Sequence, residues 1–272
     1  MGQFTADGLT FDVHDAGPAG GEVAVLLHGF PQDHTAYDDV VPLLTARGLR
    51  VLVPDQRGYS PGARPRSRRH YRVARLVDDV AALLTVAGVG RAHLVGHDWG
   101  GGVAWAFAGR HPDRTASLTV LSTPHPAAMQ QAMLRSNQAL RSAYMLWFQL
   151  PWLPERMLMA DDGARLRAAL RRTGLPDDRA AHYSRLMAEG AMRGAVNWYR
   201  GIPLGRSHIG RTRVPTVLVH GRRDPFFAPL AIRATAGFVS APFEAIGVDA
   251  GHWLPETHPR EVAEAVLRAA GR

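Results

Sequence analysis

The chain has 272 residues, of which 46% are hydrophobic and 21% charged, the proportions of a globular protein long enough for one substantial core. Cysteine is absent, which excludes disulfides, thiol catalysis and cysteine-ligated metal and is compatible with the cytoplasmic location we expect. The net charge of +8 is carried by arginine with no lysine; the clusters Arg64, Arg66, Arg68, Arg69, Arg72 and Arg165, Arg167, Arg171, Arg172 lack interleaved stacking aromatics, so they read as solvated faces and no nucleic-acid partner is expected.

In chain order, residues 9–14 alternate as a strand and residues 15–21 read as a turn. Val23–Leu27 is a continuous apolar run of the kind buried on both faces of a parallel sheet, and it leads into His28-Gly29-Phe30-Pro31. Residues 50–53 form the next strand, ending at Pro54-Asp55. Residues 71–87 carry Val73, Leu76, Val77, Val80, Leu83 and Leu84 at helical spacing. A strand at 92–95, a small-residue helix at 100–110 and a strand at 116–121 follow. This alternation predicts βαβ units with right-handed crossovers and a parallel sheet.

Between about residues 124 and 210 the alternation lapses into helical periodicity, with Trp147, Trp152 and Trp198 and no convincing strand. It resumes with a strand at 214–219, a loop at 221–229, a strand at Phe243–Val248 and a helix from about Pro259. The fold class predicted is α/β: a mostly parallel central sheet flanked by helices, with an inserted helical cap. Residues 1–123 and 211–272 form the core and 124–210 the cap. The apolar runs are strand-length, far short of the roughly 20 residues of a membrane helix. No basic segment followed by an apolar one opens the chain, so neither a membrane span nor a secretory leader is expected.

The sharpest local signal is Gly96-His97-Asp98-Trp99-Gly100-Gly101, directly after a strand and opening a helix. In a nucleophile elbow the strand-to-helix turn is so tight that small residues must flank the exposed side chain, and Gly96 and Gly100 supply that clearance. The apex is Asp98, which would also serve as an ordinary N-cap. A carboxylate nucleophile restricts the chemistry. Attack on a carboxylic ester would give an anhydride, whereas attack on a saturated carbon gives an alkyl-enzyme ester, cleaved when water attacks the Asp98 carbonyl carbon.

That second step needs a base, an orienting acid and an oxyanion hole. His252, in Ala250-Gly251-His252-Trp253 directly after the last strand, is the base candidate. Asp224, after the preceding strand, is the acid, preferred over Asp249, which lies too near His252 in a tight loop. The chain order nucleophile, acid, histidine is that of the elbow hydrolases. The oxyanion donors are the backbone N–H groups of Trp99 and Phe30. His28, His97 and His125 read as structural hydrogen-bonding residues. No His/Asp/Glu group shows metal spacing, and Gly100-Gly101-Gly102 lacks the lysine of a P-loop, so no metal or organic cofactor is expected.

Taken together, His28-Gly29-Phe30-Pro31, Asp55-Gln56-Arg57-Gly58-Tyr59, the Asp98 elbow, Asp224 and Gly251-His252-Trp253 resemble the cap-bearing epoxide hydrolases of the α/β-hydrolase superfamily, over nearly the whole chain. Within the cap, residues 144–149 and 197–200 resemble the two segments that carry lid tyrosines. The resemblance implies that Tyr144 and Tyr199 donate hydrogen bonds to the oxygen of a small apolar epoxide, which water converts to a diol. Periodicity alone fits packing equally well for both. Phe30, Trp99, Trp147 and Met145 are expected as pocket walls, in a monomer or homodimer. Haloalkane dehalogenases share the Asp elbow, but their second halide donor, often Asn, is replaced by Phe30. Fluoroacetate dehalogenases carry an arginine where Trp99 stands. A non-catalytic binding protein of the same fold would be expected to have lost Asp98, Asp224 or His252, and all three are present.

Overall fold

Eight strands pair into one sheet: β1 (Gln3–Ala6), β2 (Leu9–Ala16), β3 (Val23–Leu27), β4 (Arg50–Pro54), β5 (Ala92–His97), β6 (Thr115–Leu121), β7 (Thr216–Gly221) and β8 (Phe243–Val248). The computed structural model describes residues 1–205 and 209–272. The sheet order is β1-β2-β4-β3-β5-β6-β7-β8. The first two strands join antiparallel, and from β4 to β8 every pair is parallel. All residues of β3 and β5 are buried, as strands covered on both faces must be; β3 is apolar throughout, and the two histidines of β5 are hydrogen-bonded to Ser117 and to Gln32 and the His252 carbonyl. The outer β8 is nowhere fully buried.

The helix Val73–Val86 buries Leu76, Val77, Val80, Leu83 and Leu84, the stripe its spacing predicts. The helix Trp99–Arg110 is buried almost all round, and its small residues let it lie close under the sheet. Strand β1 escaped the sequence reading. Asp7 (φ 52°) and Gly8 (φ 72°) close a two-residue hairpin to β2, the left-handed pair that such turns demand. Two short helices, Val41–Thr45 and Pro229–Ala234, also went unpredicted.

The segment between β6 and β7 is helical, from Pro126–Arg135 to Met192–Gly201, with no strand longer than an isolated bridge among the described residues. Its expected end near residue 210 follows residues 206–208, which lie outside the described residues. Side chains bind this insertion to the core. Gln138 Nε2 donates to the Phe226 carbonyl (2.8 Å), and its Oε1 accepts from Ala228 N–H (2.7 Å). Trp198 Nε1 donates to the Arg57 carbonyl (2.7 Å). Arg57, in the Asp-Gln-Arg-Gly-Tyr segment, is itself fully buried and forms a two-point pair with Asp79 (2.7 and 2.8 Å), the fork geometry that makes a buried guanidinium tolerable.

Candidate active site

Asp98 sits where β5 turns into the helix Trp99–Arg110, with φ 50° and ψ −118°, a strained conformation for any side-chain-bearing residue. The neighbouring glycines permit it. A Cβ on Gly96 would fall 2.3 Å from the Gly100 carbonyl oxygen, and one on Gly100 2.1 Å from that of Leu27. Asp98 makes no capping hydrogen bond to its helix, so the N-cap alternative does not describe it.

The carboxylate is instead gripped from outside the helix. Phe30 N–H donates to Asp98 Oδ1 at 2.9 Å. Burial pushes the Asp98 pKa up, opposed by the nearby His252 and by the backbone N–H groups of Phe30 and Trp99. The Phe30–Asp98 contact requires a glycine before Phe30, because a Cβ at Gly29 would lie 2.4 Å from Asp98 Cβ.

His252 Nδ1 lies 2.8 Å from Asp224 Oδ2, and Nε2 lies 3.7 Å from Asp98 Oδ2. Asp224 is fixed in turn by Phe226 N–H, which donates to Oδ1 at 2.7 Å. Asp249 is exposed and paired with Arg223, so Asp224 is the carboxylate that meets the imidazole. The His252 carbonyl accepts from Ser122 Oγ (2.9 Å) and lies 2.9 Å from His97 Nε2. Burial pulls the His252 pKa down, but the charge and hydrogen bond of Asp224, with Asp98 behind them, raise it above its ordinary value.

Asp98, His252, Tyr144, Tyr199 and Phe30 line one cavity of about 180 Å³. Burial raises the pKa of both phenols, with the nearby carboxylate of Asp98 adding to it, so both stay protonated and able to donate. Their ring centroids are 5.9 Å apart. The other walls are chiefly Phe148, Leu158, Leu166, Leu170 and Phe226. The sequence reading named Trp147 and Met145 instead, and neither lines the cavity. Four residues span about one helical turn, so Tyr144 and Phe148 share the inward face while Met145 and Trp147 point elsewhere. The same rule would have found Leu166 and Leu170, spaced by four on the helix Ala164–Arg172. The Trp99 indole packs edge-on against Tyr199 (5.1 Å) and Trp198 (5.7 Å) rather than forming wall.

The three histidines read as structural are held by hydrogen bonds. His28 Nε2 accepts from Gln56 N–H at 3.1 Å. His97 bridges Gln32 (2.8 Å) and the His252 carbonyl. His125 Nδ1 accepts from Ala127 N–H at 3.2 Å. Folding also brings together a group that spacing conceals, Asp33, His34 and Asp55. Its members are already engaged: His34 Nδ1 with Asp55 (2.9 Å), and Asp33 with Thr35 N–H (3.1 Å) and His182 (2.8 Å).

Residues 23–259 match the family model of the alpha/beta hydrolase fold. The chain is 30% identical over 305 residues to Epoxide hydrolase A of Mycobacterium tuberculosis, covering 96% of this chain and 94% of that one. It is 31% identical over 269 residues to the AB hydrolase superfamily protein YfhM of Bacillus subtilis, covering 96% and 94%. Among solved structures, Epoxide Hydrolase A from Mycobacterium thermoresistibile superposes with a TM-score of 0.85 at 25% identity, over 98% of this chain and 96% of that one. An aspartate at the elbow, a shared fold and likeness along nearly the full length lead to one conclusion: the chain belongs to the epoxide hydrolase family of the α/β-hydrolase superfamily.

Proposed function

We propose that this protein hydrolyses an epoxide to a vicinal diol through an ester of Asp98, using no metal or organic cofactor. Asp98 Oδ2 attacks a ring carbon, the carbon–oxygen bond of the epoxide breaks, and Tyr144 and Tyr199 donate to the oxygen as it becomes an alkoxide. Water then attacks the carbonyl carbon of the ester, giving its proton to His252 Nε2, while Asp224 holds the imidazole and stabilises its positive charge. The charge that gathers on Asp98 Oδ1 meets the N–H groups of Phe30 and Trp99. Collapse breaks the ester carbon–oxygen bond, and the proton on His252 and the one left on the Asp98 carboxyl pass to the two substrate oxygens, which releases the diol and restores the carboxylate and the neutral imidazole.

The single observation that carries this reading is the division of labour on one carboxylate. Oδ1 is occupied by the Phe30 N–H at 2.9 Å, while Oδ2 stands 3.7 Å from His252 Nε2. That separation is too long for a hydrogen bond, so the base does not tie up the attacking oxygen. Two phenols share the same cavity. A departing halide needs no proton, and the indole of Trp99 lies against Tyr199 rather than in the cavity wall, which favours the epoxide over the halide. The volume and apolar walls suit a compact apolar epoxide. In the same proposal residues 124–210 act as a cap over a core of 1–123 and 211–272. No helix among the described residues is long and apolar enough to cross a membrane, and we place the enzyme in the cytoplasm as a monomer or homodimer.

The test is the pair of phenols. Losing one aimed donor costs about 2.7–4 kcal/mol of transition-state stabilisation. The double variant Tyr144→Phe/Tyr199→Phe keeps both rings and should fold normally by calorimetry, yet lose pre-steady-state alkylation of Asp98 almost completely. Ring opening at close to the wild-type rate would reduce both tyrosines to packing residues.

A further inference from the structure

Behind the site, one amide side chain touches the loop at Gly29, the end of β5 and the short helix after His252. Gln32 is fully buried. Its Oε1 accepts the Gly29 N–H at 2.7 Å and lies 2.8 Å from His97 Nδ1, on the residue before Asp98. Its Nε2 donates to Glu256 Oε1 at 2.7 Å, on the short helix that follows His252. Glu256 Oε1 also accepts from Tyr183 of the helical insertion at 2.9 Å, while its Oε2 is buried with no hydrogen-bond partner among the described residues. A buried carboxyl with half its capacity unused is costly, and nothing in the reaction proposed above requires it.

What it accomplishes is orientation. An amide can be turned about its last bond with little change of shape. Turned around, Gln32 would set NH₂ against the Gly29 N–H and carbonyl oxygen against the Glu256 oxygen, two repulsive contacts in place of two hydrogen bonds. We propose that Glu256 and Gln32 form a positioning pair for ester hydrolysis: Glu256 fixes the Gln32 amide, and the Gln32 oxygen holds the Gly29 N–H, one peptide before the Phe30 N–H that meets Asp98. The inference rests on the ester mechanism proposed above and predicts an asymmetry within it. During alkylation Asp98 loses negative charge, so the oxyanion donors gain nothing. During hydrolysis Oδ1 gains a full charge, and a misaimed Phe30 N–H is felt there.

Gln32→Glu sets two carboxyl groups face to face. Gln32→Glu/Glu256→Gln exchanges donor and acceptor across the pair, the new amide giving one hydrogen to the new carboxylate and the other to the Tyr183 oxygen, which turns from donor to acceptor. Rapid-quench intact mass spectrometry with styrene oxide reads both half-reactions. Relative to wild type, Gln32→Glu should hydrolyse the ester about tenfold or more slowly, the scale of one charge-assisted hydrogen bond, with alkylation little changed. Its adduct therefore accumulates, and the double exchange returns hydrolysis to near the wild-type rate. Should Gln32→Glu fail to fold, Glu256→Met removes the acceptor at similar length and should show the same accumulation. Equal slowing of both half-reactions, or a double exchange no faster than the single variant, would overturn the pairing and leave only a structural role. A wild type that never forms the adduct would overturn the ester mechanism itself, a distinct result.

Discussion

Asp98 and His252 are coupled as charges, and the proposed ester mechanism predicts that the coupling changes as Asp98 reacts. The His252 pKa is raised first by Asp224 and then by Asp98, against the pull of burial. In the proposed mechanism alkylation would turn Asp98 into a neutral ester and remove one raising charge, so that His252 becomes easier to deprotonate when a base is needed. Asp98→Asn imitates the neutral state. It should lower the His252 pKa, read as its imidazole titration by NMR, and a pKa unchanged or higher would contradict the coupling. At this scale the sequence was most informative where chemistry is local. Asp98 and its glycines are contiguous, and Asp224 and His252 follow their strands in the order the fold imposes. Gln32 and Glu256 are 224 positions apart, and Phe148 differs from its neighbours only in which way it faces. Pairings of that kind exist only once the chain has folded.

The strand-to-helix turn sets what substitutions the elbow tolerates. Because a Cβ on Gly100 would lie 2.1 Å from the Leu27 carbonyl oxygen, Gly100→Ala cannot be absorbed by rotating a side chain. We expect it to cost roughly 1–3 kcal/mol of stability, measured by denaturant unfolding, together with loss of Asp98 alkylation as β3 and the helix Trp99–Arg110 are forced apart. Wild-type stability in this variant would mean that the turn has slack the geometry denies. The buried strands β3 and β5 and the helix Val73–Val86 were legible because their periodicity has a single reading. The β1–β2 hairpin was legible too, since Asp7-Gly8 is a strong turn signal, and was overlooked. Helices of five or six residues, such as Val41–Thr45 and Pro229–Ala234, are too short for a pattern to emerge.

Across the whole molecule, the insertion is tied down beside the loop that carries Phe30. Arg179 pairs with Asp38 (3.1 Å) and Asp39 (3.4 Å), and His182 with Asp33 (2.8 Å). Nearby, His34 pairs with Asp55, and that carboxylate, against the opposing effect of burial, raises the His34 pKa from 6.5 to about 9. A pKa raised by folding stabilises the folded state fully below the unfolded value. The contribution of His34 is therefore complete below about 6.5 and is lost as pH rises through about 9. His34→Gln should thus lower the denaturant midpoint at pH 6 and make little difference above the folded pKa. An equal effect at both ends would contradict the linkage. These ties fix the insertion to the loop that carries Phe30, and the proposed mechanism requires that Asp98 Oδ2 become bonded to substrate. A single turnover in oxygen-18 water, with enzyme in excess, tests it directly. The first-turnover diol should be free of label and the Asp98 peptide labelled, because the diol takes its new oxygen from Asp98 and water replaces it. Label in that first diol and none in Asp98 would mean that water opens the epoxide itself, and the ester mechanism would be wrong.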